Sequence, residues 1–202
     1  MPHTPLYRKI HWPDERSELI GFRWYYRKSA LPYASPNGQR FRGWVLRLKE
    51  GGWDIVHRAA VLLLDVTPDV LGRCDLVLSV PPSRATQGLP IYAMRDVAKD
   101  YIEQIRYGHF GGIQRVRTVP KTVEDAGMRD PVRQRESVAL PNDCPVSADK
   151  ILVLDDVTTT GATLRGAHSL VRERYRDANI LLFAFGKTSG WAQADFPEHP
   201  GF

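Results

Sequence analysis

Two adjacent aspartates and a run of hydroxyl side chains stand together towards the C-terminal end of this 202-residue chain. Asp155 and Asp156 follow four consecutive apolar residues, a pattern typical of a strand buried on both faces. The chain continues as Val157, Thr158, Thr159, Thr160, Gly161, Ala162 and Thr163, after which apolar residues recur at helical spacing. The loop amides and the helix dipole can hold a phosphate dianion, and the carboxylates can accept hydrogen bonds from ribose hydroxyls or assist a hydrated Mg²⁺. The segment therefore predicts a site for a phosphorylated sugar.

A second loop with hydroxyl and basic side chains follows the strand predicted at residues 76–80. It contains Pro82, Ser83 and Arg84 and is followed by a glycine and a predicted helix. In an open parallel sheet, ligands bind outside the carboxyl ends of the strands, so this loop and the aspartate loop should share one edge. We expect the loop to hold pyrophosphate; the alternative is an ordinary strand–helix connection with an exposed Arg84.

Strands and helices alternate along most of the chain. Apolar patterns predict strands at 19–27, 76–80, 113–117, 150–155 and 180–185, and helices at 41–48, 55–63 and 89–105 and after Gly161. A short strand is the alternative at 41–48. This order predicts an α/β fold in which a parallel sheet is flanked by helices and joined by right-handed crossovers.

The chain is expected to have three parts. Residues 1–52 are aromatic and basic and predict a small N-terminal extension or hood, which begins with an irregular arm at 1–18. Residues 53–187 are expected to form the α/β domain, and 188–202 a peripheral tail.

The aromatic and basic side chains of the extension allow two interpretations. Trp24 and Trp44, with the arginines near them, can form a surface on which single-stranded nucleic acid stacks. Alternatively, they pack as a hood on the core, which we favour because Trp is an ordinary packing residue.

A basic segment at 108–137 is expected to act as a lid over the site. Its glycines, which include Gly111 and Gly112, would permit motion, and its cations can close over an anion. Arg117 and Lys121 are the candidate catalytic residues of this lid. The alternative is a solvated basic loop.

Composition limits the class of protein. No apolar stretch is as long as the roughly 18 residues of a membrane span, and we see no secretory signal. Cys74 and Cys144 lie far apart, which favours reduced thiols and a cytoplasmic location. The formal net charge of +5 favours anionic partners, either phosphorylated substrates or nucleic acid.

The segment 151–163 resembles the phosphoribosyl-pyrophosphate (PRPP) motif of type I phosphoribosyltransferases, except that Thr158 stands where many members have an aliphatic residue. Over residues 22–187, further segments resemble the ComF-like phosphoribosyltransferases, named for a competence protein; these are Tyr33 with 42–52, Val80-Pro81-Pro82, and 115–122 with Arg133 and Arg135. The chain lacks the cysteine zinc ribbon of many ComF-like proteins. Lys121 and 136–138 replace that family's Gln and Asn-Val.

The resemblance implies a type I phosphoribosyltransferase-like fold and an enzyme that transfers ribose 5-phosphate from PRPP to a nucleobase or amine. Asp155 and Asp156 would contact the ribose and Mg²⁺, residues 157–163 would hold the 5-phosphate, and Pro82, Ser83 and Arg84 would hold the pyrophosphate. The alternative is a non-catalytic regulator that binds PRPP or a nucleotide, or a ComF-like accessory protein of DNA uptake or processing. We expect a phosphorylated sugar or nucleotide as the ligand, no membrane partner and a homo-oligomer, and we do not favour nucleic acid.

Overall fold

The computed structural model describes residues 6–11, 17–27, 36–64, 73–82, 92–118, 130–158 and 160–189, with side chains described from residue 42 to residue 186. Its strands in these ranges are β1 Leu6–His11, β2 Ser17–Arg27, β3 Leu76–Ser79, β4 His109–Gly112, β5 Gln114–Arg115, β6 Val138–Ala139, β7 Lys150–Thr158 and β8 Asn179–Ser189. Its helices are α1 Pro36–Glu50, α2 Trp53–Leu64, α3 Ala93–Ile105, α4 Pro131–Glu136 and α5 Ala162–Arg174.

A six-stranded sheet with the order β1-β2-β8-β7-β3-β4 forms the centre of the described structure. Strands β2, β8, β7, β3 and β4 run parallel to one another, and β1 is antiparallel to β2. Strands β5 and β6 form a separate antiparallel pair. The predicted α/β fold, a parallel sheet flanked by helices, is confirmed.

The apolar run before the aspartates explains why helices cover both faces of the sheet. Side chains alternate between faces along a strand, so Leu152 and Leu154 pack with α1, α2 and α3, whereas Ile151 and Val153 pack with α5. All four of these β7 side chains are fully buried. Strand β7 is therefore fixed in the middle of the core, and the residues that follow it emerge at a defined place.

The N-terminal region differs from the sequence prediction. Residues 6–11 were expected to belong to an irregular arm, but they form the edge strand β1. Their partner β2 pairs in parallel with β8, for example at Ile20 and Leu182, so both strands extend the central sheet. The prediction missed β1 because an edge strand takes its pairing from a neighbour rather than from its own apolar alternation. The division of the chain at residue 52 remains a prediction.

The strand predicted at 113–117 was also misplaced. The strand of the central sheet is β4, and only Gln114 and Arg115 pair in the small second sheet. Strand β4 was not predicted because two of its four residues are glycines, which give no apolar pattern. The packing around the strand nevertheless requires glycine at both positions. A Cβ on Gly112 would lie 2.8 Å from the Tyr92 hydroxyl, and a Cβ on Gly111 would lie 3.1 Å from Leu78 Cδ2.

The two glycines therefore serve close packing inside the sheet, and the prediction that they allow lid motion was wrong. Part of the lid segment 108–137 is ordinary structure, since it also contains β5 and α4. Residues 119–129 of that segment, and residues 190–202 of the predicted tail, lie outside the described residues. Within the described ranges, no helix has the length and apolar character needed to cross a membrane.

Candidate functional site

The aspartate pair lies where β7 extends past its neighbour β3. The last paired residues of these two strands are Ser79 and Leu154, whereas β7 remains paired with β8 through Asp155 and Ala184. The amide of Val80 still donates a hydrogen bond to the Leu154 carbonyl, at 2.8 Å. Beyond that point the chain after β3 leaves the sheet. The two aspartates therefore stand beside the start of the loop after β3, as the sequence predicted for a shared edge.

Backbone hydrogen bonds orient the two carboxylates. The Asp156 amide donates to Asp155 Oδ1 at 2.9 Å, and the Val157 amide donates to Asp156 Oδ1 at 2.7 Å. The pKa of Asp155 is raised well above its ordinary value, first because burial penalises its charge and second because the Asp156 carboxylate is adjacent. Two carboxylates so close to each other are stabilised by any cation or hydrogen-bond donor that reaches them.

Lys49 supplies a cation to this pair from the last turn of α1. Its Nζ atom lies 2.9 Å from Asp156 Oδ2. Lys49 was not among the predicted site residues, although it lies inside the segment 42–52 that resembles the ComF-like family. The only local feature that marks Lys49 in the sequence is its position next to Leu48, which is buried. A contact between residues so far apart in the chain is not visible in a local pattern.

The hydroxyl loop after the aspartates ends at the amino terminus of α5. Gly161 has a positive φ of 82°, which favours glycine, and its carbonyl accepts the first helical hydrogen bond from the Arg165 amide. The Thr160 hydroxyl accepts a hydrogen bond from the Ala162 amide at 3.4 Å. Amides in the first turn of a helix have no partner within the helix, so this end of α5 is suited to an anion.

The predicted phosphate-binding residues are partly exposed. Thr160 is exposed and Thr163 is half-buried, whereas Thr158, Gly161 and Ala162 are buried. Val157 is also half-buried, and it packs against the core on the side of α1, α2 and α3. Thr159 lies outside the described residues.

A buried arginine fixes the start of the loop after β3. Arg115, only 3% exposed, donates from Nε to the Pro82 carbonyl at 3.0 Å and from Nη2 to the Pro81 carbonyl at 3.3 Å. Two successive prolines have no backbone N–H to donate to a neighbouring strand, so the guanidinium holds them through their carbonyls. Its Nη1 also donates to Gln134 and Ser137. Arg115 thereby joins this loop to α4 and to the residue after it.

The same arginine contributes positive charge near the acid pair. Burial lowers the pKa of Arg115 to about 10, while the nearby Asp155 carboxylate and the Tyr92 phenol oppose that shift. Arg115 therefore keeps its charge near neutral pH and belongs to the electrostatic surroundings of Asp155. It was missed as a site residue because its position in a basic, poorly periodic stretch suggested a surface loop.

A tyrosine holds the last residue of β3 by two hydrogen bonds. The Tyr92 hydroxyl donates to the Ser79 carbonyl at 2.9 Å and accepts from the Ser79 hydroxyl, also at 2.9 Å. Burial raises the pKa of the Tyr92 phenol, so it remains a neutral donor. Because the last residue of β3 is fixed in this way, the loop that follows has a rigid base.

Arg117 makes its described contacts away from this arrangement. Arg117 is exposed; its guanidinium donates to the Glu136 carbonyl at 3.1 Å and lies 3.6 Å from the carboxylate of the same residue. Ser83, Arg84 and Lys121 lie outside the described residues, so their roles remain predictions.

Neither a protein-family model nor a curated protein matches this chain. Among solved structures it resembles orotate phosphoribosyltransferase from Aeropyrum pernix, with 15% sequence identity and a TM-score of 0.43 over 91% of this chain and 76% of that chain. It also resembles xanthine-guanine-hypoxanthine phosphoribosyltransferase from Helicobacter pylori, with 11% identity and a TM-score of 0.44 over 69% of this chain and 86% of that one. A third similar structure is hypoxanthine phosphoribosyltransferase from Staphylococcus aureus, with 19% identity and a TM-score of 0.38 over 71% and 68% of the two chains.

Proposed function

We propose that this protein binds PRPP and transfers its ribose 5-phosphate to a nitrogen of a nucleobase or amine, with release of pyrophosphate. One observation carries the proposal: two adjacent carboxylates in a buried parallel strand, directly after the last residue that pairs with the neighbouring strand β3, followed by hydroxyl side chains and a helix that begins at a left-handed glycine. The resemblance of residues 151–163 to the PRPP motif agrees with it.

The acid pair suits the ribose of the ligand. A ribose presents two neighbouring hydroxyls, and Asp155 and Asp156 present carboxylates on neighbouring residues. Hydrogen bonds to ionised acceptors are among the stronger ones in proteins. Donation from the sugar would also offset the burial and the repulsion from Asp156, which together raise the pKa of Asp155.

The amino end of α5 suits the 5-phosphate. Its first-turn amides and the helix dipole attract an anion, and the Thr160 and Thr163 hydroxyls stand at this terminus. Because only residues 157–161 separate the acid pair from the helix, sugar and phosphate would be held by one continuous segment.

The donor set also fits Mg²⁺. Among the described residues, no group of three or more histidine, cysteine or acidic side chains could hold a metal. Mg²⁺ commonly uses one or two carboxylates and takes its remaining ligands from water and substrate phosphates, so Asp155 and Asp156 would suffice. When bound, it would neutralise charge on the departing pyrophosphate.

The chemistry requires positioning more than covalent help. The acceptor nitrogen donates an electron pair to the anomeric carbon, while the bond from that carbon to oxygen breaks and its electrons leave on pyrophosphate. The proton that the nitrogen carried passes to water. The sugar ring gains positive charge in between, and the oxygens of the aspartate pair stabilise it. Arg115 fixes the start of the loop that we predict to hold the leaving group, so the two reacting parts stay in one geometry.

Turnover tests this function directly. The protein is incubated with PRPP, Mg²⁺ and each of a panel of purine and pyrimidine bases, and pyrophosphate release is measured. We expect release that depends on one base or a small group of bases. PRPP binding without base-dependent release would favour the non-catalytic regulator instead.

The DNA-accessory alternative gains no support from Trp44. Its side chain is half-buried, and its ring centroid lies 5.4 Å from that of the core residue Phe185. This position agrees with the packing role that we favoured. The side chain of Trp24 lies outside the described residues. A cytoplasmic homo-oligomer remains our expectation for location and assembly.

A further inference from the structure

Lys49 reaches the acid pair from a helix in the N-terminal part of the chain. Its ammonium lies 2.9 Å from Asp156 Oδ2; the lysine side chain is 55% exposed and the aspartate side chain 19%. The adjacent Leu48 is fully buried and anchors the last turn of α1, and Gly51 ends the helix with a positive φ of 79°. The helix therefore holds the backbone of Lys49 in place, while its exposed, flexible side chain can turn to another partner.

We propose that Lys49 exchanges partners when PRPP binds: it neutralises Asp156 in the empty site and contacts the pyrophosphate in the filled one. The inference rests on the proposed function and assigns a ligand-binding role to a residue outside the PRPP-like motif. It makes the C-terminal end of α1 a part of the site.

Competition for the same carboxylate provides the first step. The oxygens of Asp156 can bind the lysine ammonium, the ribose hydroxyls or a hydrated Mg²⁺, so these groups compete. Because the Lys49 side chain is more than half exposed, water can solvate the ammonium as it leaves Asp156, so the incoming ligand can displace it at small cost.

The connectivity of PRPP provides the second step. Its pyrophosphate is attached to the anomeric carbon, which is next to the carbon that bears the 2-hydroxyl. If the hydroxyls bind Asp155 and Asp156, the pyrophosphate must lie within a few bonds of the acid pair. The displaced ammonium is then close to several anionic oxygens, for which a compact, strongly charged donor is well suited.

The exchange predicts effects of opposite sign for two probes. Lys49→Met removes a competitor for cations at the acid pair, so Mn²⁺ alone should bind the apoprotein more tightly. The same change removes a pyrophosphate contact, so PRPP in the presence of Mg²⁺ should bind less tightly. Arg47→Met is the matched control, because Arg47 lies on the same helix, carries the same charge and pairs with Asp54 at 2.8 Å.

The experiment measures Mn²⁺ binding by electron paramagnetic resonance and PRPP binding by calorimetry. For Lys49→Met we expect Mn²⁺ affinity to rise about threefold or more and PRPP affinity to fall about tenfold or more, as for a lost charged hydrogen bond. Lys49→Arg should retain most of the PRPP affinity, and Arg47→Met should change both affinities by less than about twofold. Thermal unfolding of each variant verifies that it is folded.

The outcomes separate this inference from the proposed function. Wild-type protein that binds no PRPP would overturn both. Wild-type binding that persists unchanged in Lys49→Met would overturn the inference alone. Equal changes in Lys49→Met and Arg47→Met would also overturn it, since they would show a general effect of helix charge.

Discussion

Asp75 and Asp155 lie at opposite ends of the paired part of the parallel strands β3 and β7, Asp75 at the amino end and Asp155 at the carboxyl end. Their surroundings differ. Asp75 directly precedes β3 and accepts hydrogen bonds from the Tyr107 hydroxyl at 2.6 Å and from the Asp149 and Lys150 amides at 3.0 and 2.8 Å. The Tyr107 hydrogen bond, with help from the two amides, lowers the pKa of Asp75. Its carboxylate joins β3, β7 and the end of α3 and already has its partners.

The pKa of Asp155, at the carboxyl end, is shifted in the opposite direction. Burial and the adjacent Asp156 raise its pKa, and Arg115 is one of the cations near it. A group whose pKa is strongly shifted by burial and a neighbouring charge is a candidate for function, whereas a carboxylate saturated with donors serves structure. The difference lies in the partners, because both residues are aspartates that flank the paired part of β3 and β7.

Cavity volume does not distinguish the candidate functional end of the strands from the structural one. A cavity of about 320 Å³ lies at the amino edge, lined by residues that include Asp75, Tyr107, His109 and Asp149. Its central carboxylate is committed to the hydrogen bonds that join the strands. The proposed function places the chemistry at the carboxyl ends of the strands, where the paired charges and the helix terminus lie.

The largest effect is expected on turnover. Replacing Asp155 and Asp156 together by Asn should lower kcat/KM for base-dependent pyrophosphate release by at least about a hundredfold, because two charged hydrogen bonds at about 1.5–3 kcal/mol each are lost. Asp75→Asn should leave kcat/KM within about twofold of wild type, since it lies at the other edge. Equal losses in both variants would erase the distinction between the two edges.

A larger side chain at the contact between α4 and α5 should lower the free energy of unfolding. A Cβ on Gly166 of α5 would lie 2.7 Å from Gln134 Cβ and 2.8 Å from the Arg135 amide nitrogen, so Gly166→Ala must push α4 away. We expect a loss of about 1–3 kcal/mol in the free energy of unfolding, as for overpacked cores.

The matched control for this change is Gly43→Ala. Gly43 lies within α1, and no atom stands within 4 Å of a Cβ built there. Chemical denaturation should show a gain of about 0.5–1 kcal/mol, because alanine favours a helix over glycine. A loss in both variants would mean that glycine contributes through the backbone rather than through the contact of α4 with α5.

At the amino edge, the expected effect is on stability alone. Asp75→Ala removes the acceptor for three donors, but water can reach them, so we expect a loss of about 1–2 kcal/mol in the free energy of unfolding. The affinity for PRPP should not change. A clear loss of PRPP affinity in a folded Asp75→Ala protein would place this edge in the site and contradict the assignment.

The smallest effect is on the pH dependence of stability, and its sign differs between the two aspartates. The pKa of Asp155 is raised, so its favourable contribution is complete below the ordinary aspartate pKa and is lost as pH rises towards the raised value. The pKa of Asp75 is lowered, so its contribution is present above the ordinary value and is lost as pH falls.

Unfolding free energies measured from pH 3 to pH 8 can show this difference. The advantage of wild type over Asp155→Asn should shrink as pH rises, whereas its advantage over Asp75→Asn should grow. Parallel trends for the two variants would mean that the carboxylates share one environment.

The sequence made the centre of the fold and the core of the candidate site predictable, because both depend on local patterns. The apolar residues of β7 and β8, the acid pair and Gly161 all lie within short segments with a physical meaning of their own. The alternation of these segments was enough to indicate a parallel sheet flanked by helices.

The features that sequence analysis missed depend on distant contacts. Strand β1 needs β2 as its partner, and β4 contains glycines that make sense only beside Tyr92 and Leu78. Arg115 acts through proline carbonyls more than thirty residues earlier in the chain, and Lys49 reaches an aspartate on another element. No periodicity in a single segment records such pairings.

Calorimetric titration of PRPP with Mg²⁺ into wild type, Asp156→Asn and Asp75→Asn tests the central claim most directly. We predict that wild type and Asp75→Asn bind with equal affinity, and that Asp156→Asn binds at least about tenfold more weakly through the loss of a charged hydrogen bond. Equal affinity in all three folded proteins, or no binding by wild type, would contradict the assignment of the aspartate pair of β7 to the PRPP site.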